Sequence, residues 1–205
     1  VHIKKFKKNI LKFFDKSNKL LIGKHLTYLS KVYLSKKINN LIFFNYSPYL
    51  DNFMFWAQQL VAESLGKNGN GILPVVSTAP KDHHSLLQLY LDGPKDKFFY
   101  IYSSESIYKN KVSNIGFDKK NKYIVNKSIN DVTLSQKKAF ISVLKKKRIP
   151  FKEIHIKSID EEAIGELFSY FILETVLLGK ILNRNPFDQP AVEQVKILTK
   201  KYLTK

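Results

Sequence analysis

The sequence predicts an α/β fold: a three-layer αβα sandwich with a parallel sheet at its centre and further helices at both ends of the chain. Two observations predict it. The runs Leu41–Phe44, Ile72–Val76 and Phe98–Tyr102 are apolar almost throughout, as strands buried on both faces must be. Segments of helical periodicity separate these runs by short links, and that alternation implies parallel order with helices on both faces of the sheet.

Taken in order, residues 3–34 read as helical, with apolar positions at Ile10, Leu11, Phe14, Leu20, Leu21, Leu26, Leu29 and Leu34. Interruptions near Ser17-Asn18 and Gly23 suggest two helices in succession. Asp51–Leu65 has helical spacing, and Gly66 is placed to cap its end. Asp82 is expected to cap a helix running from His83 to Leu91. Residues 103–131 are polar and weakly patterned, a surface excursion. Thr133–Lys147 is helical, Phe151–Ile156 is a strand after the break at Pro150, and Ile159–Leu182 is a long apolar helix. A last helix begins at Pro190, suited to a first helical position, and ends near Leu203. The chain divides into a helical segment, residues 1–40, and a domain, residues 41–205.

Composition narrows the function classes. There is no cysteine, so disulfides, thiolate metal sites and cysteine nucleophiles are excluded. The composition is compatible with a reducing compartment, and a cytoplasmic location is expected. No apolar run approaches the roughly 18–20 residues of a spanning helix, so no membrane partner is expected. The net charge of +18 invites a nucleic-acid reading. Its distribution argues otherwise: residues 1–40 are net +10 and residues 109–152 net +11, while residues 51–105 are net −2. Of the 35 basic residues only Arg148 and Arg184 are arginine, whereas phosphate and base recognition favours the guanidinium fork. No nucleic-acid partner is expected.

Three segments could carry chemistry. In Trp56–Lys67, Gln59 and Glu63 are four apart and share a helix face. Glu63 lies in the last turn, where the negative end of the macrodipole disfavours a carboxylate and makes it a better base. The alternative is a solvated glutamate at a helix end. In Asp82-His83-His84-Ser85, adjacent histidines on a helix point about 100° apart and cannot readily share a metal ion. One functional histidine is the sharper reading and a partly buried structural one the blander. In Asn185–Lys196, Glu193 and Lys196 are three apart, either a surface ion pair or a positioned cation. Spacing alone decides none of these.

Together the segments resemble one family. Trp56-x-x-Gln59-Leu60-x-x-Glu63-Ser64-x-Gly66-Lys67, then Asp82-x-His84-Ser85 with Leu86-x-Gln88, then Asp188-Gln189-Pro190-x-Val192-Glu193-x-x-Lys196 look, in that order, like the C-terminal half of glucose-6-phosphate isomerase. The resemblance covers Leu41 to the C-terminus. It implies a sugar-isomerase (SIS) domain of flavodoxin-like type, from a two-domain homodimeric enzyme. That enzyme interconverts glucose 6-phosphate and fructose 6-phosphate through a cis-enediol or enediolate, without metal or organic cofactor. It implies Glu63 as the proton-transferring base. His84 would serve ring opening in the neighbouring subunit's site, with Lys196 assisting, and Gln59 and Gln189 would lie at the sugar site.

The sequence departs from the family pattern in places. His83 stands where the family usually has Gln, and Ala191 where it usually has Gly. Family members also have a preceding sugar-isomerase domain with a Ser/Thr-rich phosphate loop, and an active-site arginine ahead of the matched region. Neither is found here, since Arg148 and Arg184 follow the base in order. The expectation is therefore a C-terminal portion of a longer enzyme, inactive alone. The competing reading is a free-standing, non-catalytic module that binds sugar phosphates.

Overall fold

The structure, a computed structural model of the 205-residue chain, describes Lys4 and residues 16–105, 110–114, 116 and 119–204. Its elements are α1 (Lys16–Ser35), β1 (Asn40–Asn45), α2 (Asp51–Leu65), β2 (Leu73–Thr78), α3 (Lys81–Ser85), α4 (Leu87–Asp92) and β3 (Lys97–Ser104). There follow a 3-10 turn (Lys119–Ile124), α5 (Ile129–Lys147), β4 (Phe151–Ile156), α6 (Glu161–Ile181) and α7 (Pro190–Leu203). The four strands are all parallel in the order β2-β1-β3-β4. This is the flavodoxin-like order as far as four strands go.

Alternation along the central strands builds the two cores. Leu41 and Phe43 of β1, with Phe98, Tyr100 and Tyr102 of β3, face the layer made by α1, α2 and α6. Ile42 and Phe44 of β1, with Phe99 and Ile101 of β3, face Tyr90 of α4 and Phe140, Ile141 and Leu144 of α5. Successive strand residues point to opposite faces, so both faces are covered only because both sets are apolar. Phe171 of α6 anchors the first core edge-on to Phe43 (6.0 Å) and Phe53 (5.5 Å).

Several expected boundaries move, each for a visible reason. The first of the two predicted N-terminal helices falls on residues outside those described, Lys4 apart. The second runs unbroken through Gly23, whose Cβ position has nothing within 4 Å, so glycine sits on an open face while Ile22, Leu26 and Leu29 are buried. Leu34, expected on the apolar face, is exposed. The single helix expected over residues 83–91 is two short ones broken at Leu86.

Asp82 is not its N-cap: it lies inside α3, buried, accepting from Ser77 Oγ and the Thr78 backbone N–H at 2.8 Å each. It ties α3 to the end of β2. α5 starts at Ile129 rather than Thr133 because Ser128 and Asp131 form a reciprocal capping box. Gly66 does cap α2, with φ −81 rather than left-handed backbone. A Cβ there would lie 2.7 Å from the Ala62 carbonyl oxygen, so close approach is what requires glycine.

Candidate active site

A helix that follows a parallel strand runs back against it, so the end of α2 arrives at the edge of the sheet where the strands begin. Gln58 fixes that return by donating to the Pro74 carbonyl of β2 at 2.8 Å. α6 returns to the same edge after β4. The turn from Asn183 to Gln189 therefore lies beside the end of α2.

Two cations join these segments. Lys67, its side chain only 10% exposed, donates to the Asn185 carbonyl, and to the Asp188 carbonyl and carboxylate at 2.5 Å each. Arg184 donates to the Leu65 carbonyl at 2.7 Å, satisfying a terminal acceptor of α2. The Lys67 ammonium hydrogen bond holds the Asp188 carboxyl below the usual carboxylate range. Gly179 lies close under this turn, its Cβ position 3.3 Å from Pro186.

The turn so pinned delivers Gln189 to Glu63. Glu63 Oε2 accepts from Gln189 Nε2 at 2.7 Å, and Glu63 Oε1 accepts from Gln59 Nε2 at 3.0 Å. Both oxygens of a half-buried carboxylate are thus oriented by neutral amides, and each retains capacity to accept a proton. The carboxylate borders an open cleft of about 850 Å³, lined also by Lys67, Arg184, Asp188, Ala191 and Gln194. A carboxylate fixed in direction beside a cleft can act as a general base.

His84 and Lys196 are elsewhere. His84 is exposed on α3, which follows the end of β2, while Glu63 neighbours its start. The six residues of β2 separate those edges by roughly 17 Å. Only Asp82–Ser85 lies where a parallel strand ends; Glu63 and Gln189 meet at the opposite edge. His83 is the inward histidine, hydrogen-bonded to Tyr46 at 2.5 Å and edge-on to Phe44 and Phe140, and burial lowers its pKa. The residue that departs from the family pattern thus takes the structural role, and His84 is left facing solvent. Lys196 is exposed on α7 and donates to Glu193 at 2.6 Å, outside the residues that line the cleft.

Sequence reasoning did not assign a role to Lys67, Arg184 or Asp188. Lys67 and Asp188 sit inside the quoted motifs, so the signal was present without a mechanism. Lys67→Met would remove a charged donor from three acceptors. The expected result is amide exchange through residues 185–189 faster by roughly 10- to 100-fold, with the global melting transition nearly unmoved. Unchanged exchange would show that Arg184 alone holds the turn.

Fold and cleft define the class: a parallel α/β domain whose candidate chemistry is proton transfer by a positioned carboxylate. No family model matches the chain. Among curated proteins it is 36% identical over 155 residues to glucose-6-phosphate isomerase of Methanocaldococcus jannaschii, covering 76% of this chain and 38% of that protein. It is 31% identical over 197 residues to that of Mycoplasmopsis synoviae, covering 93% of this chain and 44% of that protein. A solved structure, a hypothetical protein from Thermus thermophilus, superposes with TM-score 0.87 at 25% identity, over 98% of this chain and 49% of that one. A glucose-6-phosphate isomerase from Chlamydia trachomatis shares the fold at TM-score 0.67 and 16% identity, over 82% of this chain and 35% of that one.

The chain belongs to the glucose-6-phosphate isomerase family. It spans 38 to 44% of the length of the two curated relatives just described. Among the described residues, no helix is long and apolar enough to cross a membrane.

Proposed function

We propose that this chain is the C-terminal part of a homodimeric isomerase that interconverts glucose 6-phosphate and fructose 6-phosphate, with Glu63 as its base. The observation that carries the reading is the Glu63 carboxylate, each oxygen held by a separate amide at the edge of the cleft. In the open-chain aldose the carboxylate takes the proton from C2. The electrons of that C–H bond form the C1–C2 double bond of a cis-enediolate, and the charge moves to the carbonyl oxygen. Return of the proton to C1, with the O2 hydroxyl proton passing to O1 as the carbonyl forms at C2, gives the ketose. One carboxylate with two oxygens can serve both adjacent carbons, and a placed base contributes about 10² to 10⁴ in rate.

Gln189 then lines the sugar site, and Gln59 keeps the base oriented. His84 opens the ring in a neighbouring subunit's site, and Lys196 assists ring opening as a cation. The separation of His84 from Glu63 by the length of β2 supports that division, because one chain cannot bring both to a single hexose. Lys67, spent on the turn that holds Gln189, is not free to bind a phosphate. Phosphate recognition is assigned to the portion of the enzyme that precedes the matched region.

The test is direct. The chain alone is expected to isomerise neither hexose phosphate measurably, and to do so once the complementary half of a family member is supplied. Turnover by the lone chain, abolished by Glu63→Gln, would keep the base and overturn the need for the other half.

A further inference from the structure

Helix α7 is amphipathic, yet none of its residues is buried. At 100° per residue, Leu198, Ala191, Tyr202, Val195, Thr199, Val192 and Leu203 fall on one face in that order, a stripe roughly 140° wide. Glu193, Lys196, Lys200 and Lys201 fall on the other. Tyr202 is 69% exposed, Val195 65% and Leu203 82%. A helix of 14 residues is marginal in water without tertiary packing, so an uncovered stripe of this width calls for a partner.

We propose that this stripe is the docking surface for the portion of the isomerase that precedes the matched region. The inference rests on the function proposed above and adds the interface through which the site is completed. Two observations favour that occupant. The relatives have more than half of their length outside the match, as the 38 and 44% coverage requires. The first turn of α7 borders the Glu63 cleft through Ala191, Val192 and Gln194, so a body seated on the stripe reaches the cleft's open side. Docking there fixes the helix that carries Lys196 and turns an open cleft into an enclosed site.

The probe is the part of the Mycoplasmopsis synoviae isomerase that lies outside its match to this chain, mixed with the 205-residue chain. Association is read by sedimentation, and α7 by hydrogen exchange. Val195→Asp and Tyr202→Asp lie on the stripe; Ile197→Asp, on the polar face, is the control for a new charge and for helix propensity. The expected result is a one-to-one complex with α7 amides slowed at least tenfold. Association should weaken at least tenfold in the two stripe variants and stay within twofold of the parent in the control. Near-UV spectra of Val195→Asp and Ile197→Asp should match the parent, because no α7 side chain enters either core. No association with the unmodified chain would overturn the proposal, as would a homodimer of the lone chain that the stripe variants dissociate. Turnover by the mixture that survives the stripe substitutions sinks the interface and leaves the isomerase reading intact. A complex that depends on the stripe but moves no proton on hexose phosphates sustains the interface and sinks the isomerase reading.

Discussion

Glu63→Gln, made in the chain assembled with the complementary half of the enzyme, is expected to lower kcat for both hexose phosphates by about 10²- to 10⁴-fold, with KM within a few-fold. The reason lies in what the substitution keeps. Glutamine has the same length and occupies the same position between Gln59 and Gln189, so the cleft and the pinned turn beneath it persist. What it loses is the carboxylate's capacity to accept a proton. A loss confined to KM would mean that residue 63 binds sugar without moving a proton. Glu63→Asp is the companion: it keeps the charge but withdraws it by one methylene from both amides, and misplacement of about 1 Å can itself cost 10²-fold.

The second large effect is on stability. Glu174 of α6 is buried beneath the first core, where it accepts from Tyr100 at 3.0 Å, from Tyr170, and from His25 at 2.8 Å, with Lys152 at 3.5 Å. Lys152 also lies over the Tyr170 ring at 4.2 Å. Burial by itself raises the Glu174 pKa. The hydrogen bond from His25, the Lys152 charge and the Tyr170 hydroxyl outweigh it, so the net shift is downward. Burial lowers the Lys152 pKa, and the Glu174 charge offsets only part of that.

Glu174→Gln would strand Lys152 as a largely buried cation, its side chain 24% exposed, without its counter-charge. Breaking such a pair costs about 3–5 kcal/mol, or about 6–20 °C in melting temperature for a domain of this size. Lys152→Met added to that variant should recover much of the loss, because it removes the stranded charge. The sign with pH follows from the lowered carboxyl. Its contribution is present above the ordinary carboxyl value near 4.5, and is lost as pH falls from there through the folded value. The parent chain should therefore lose stability in acid more steeply than the double variant. Equal acid profiles would show that Glu174 carries none of that dependence.

Much of the fold was legible because β1 and β3 are covered on both sides, which forces continuous apolar runs that no amphipathic helix would show. The start of α5 was legible in principle, since Ser128 and Asp131 have capping-box spacing, but the polar composition of the preceding stretch hid it. The break between α3 and α4 was not legible: it depends on Asp82 turning in to meet Ser77 and Thr78, a tertiary contact. At the site, Gln59 and Glu63 meet by helical spacing alone, whereas Gln189 is 126 positions from the carboxylate it meets. Only the motif resemblance linked them, and nothing local announced that Lys67 and Arg184 would hold the intervening turn. The edge of the sheet on which the cleft lies likewise follows from connectivity, as does the His25–Glu174 pair, 149 positions apart.

Proton transfer between adjacent carbons of a hexose phosphate is the role proposed for the Glu63 carboxylate. It is tested most directly by hydrogen exchange at the C2 position of glucose 6-phosphate in deuterated water, followed by NMR on the chain assembled with its complementary half. Deuterium incorporation is expected from the unmodified assembly, and incorporation slower by about 10²-fold or more with Glu63→Gln at equal assembly. Incorporation at the parent rate in that variant would contradict that role.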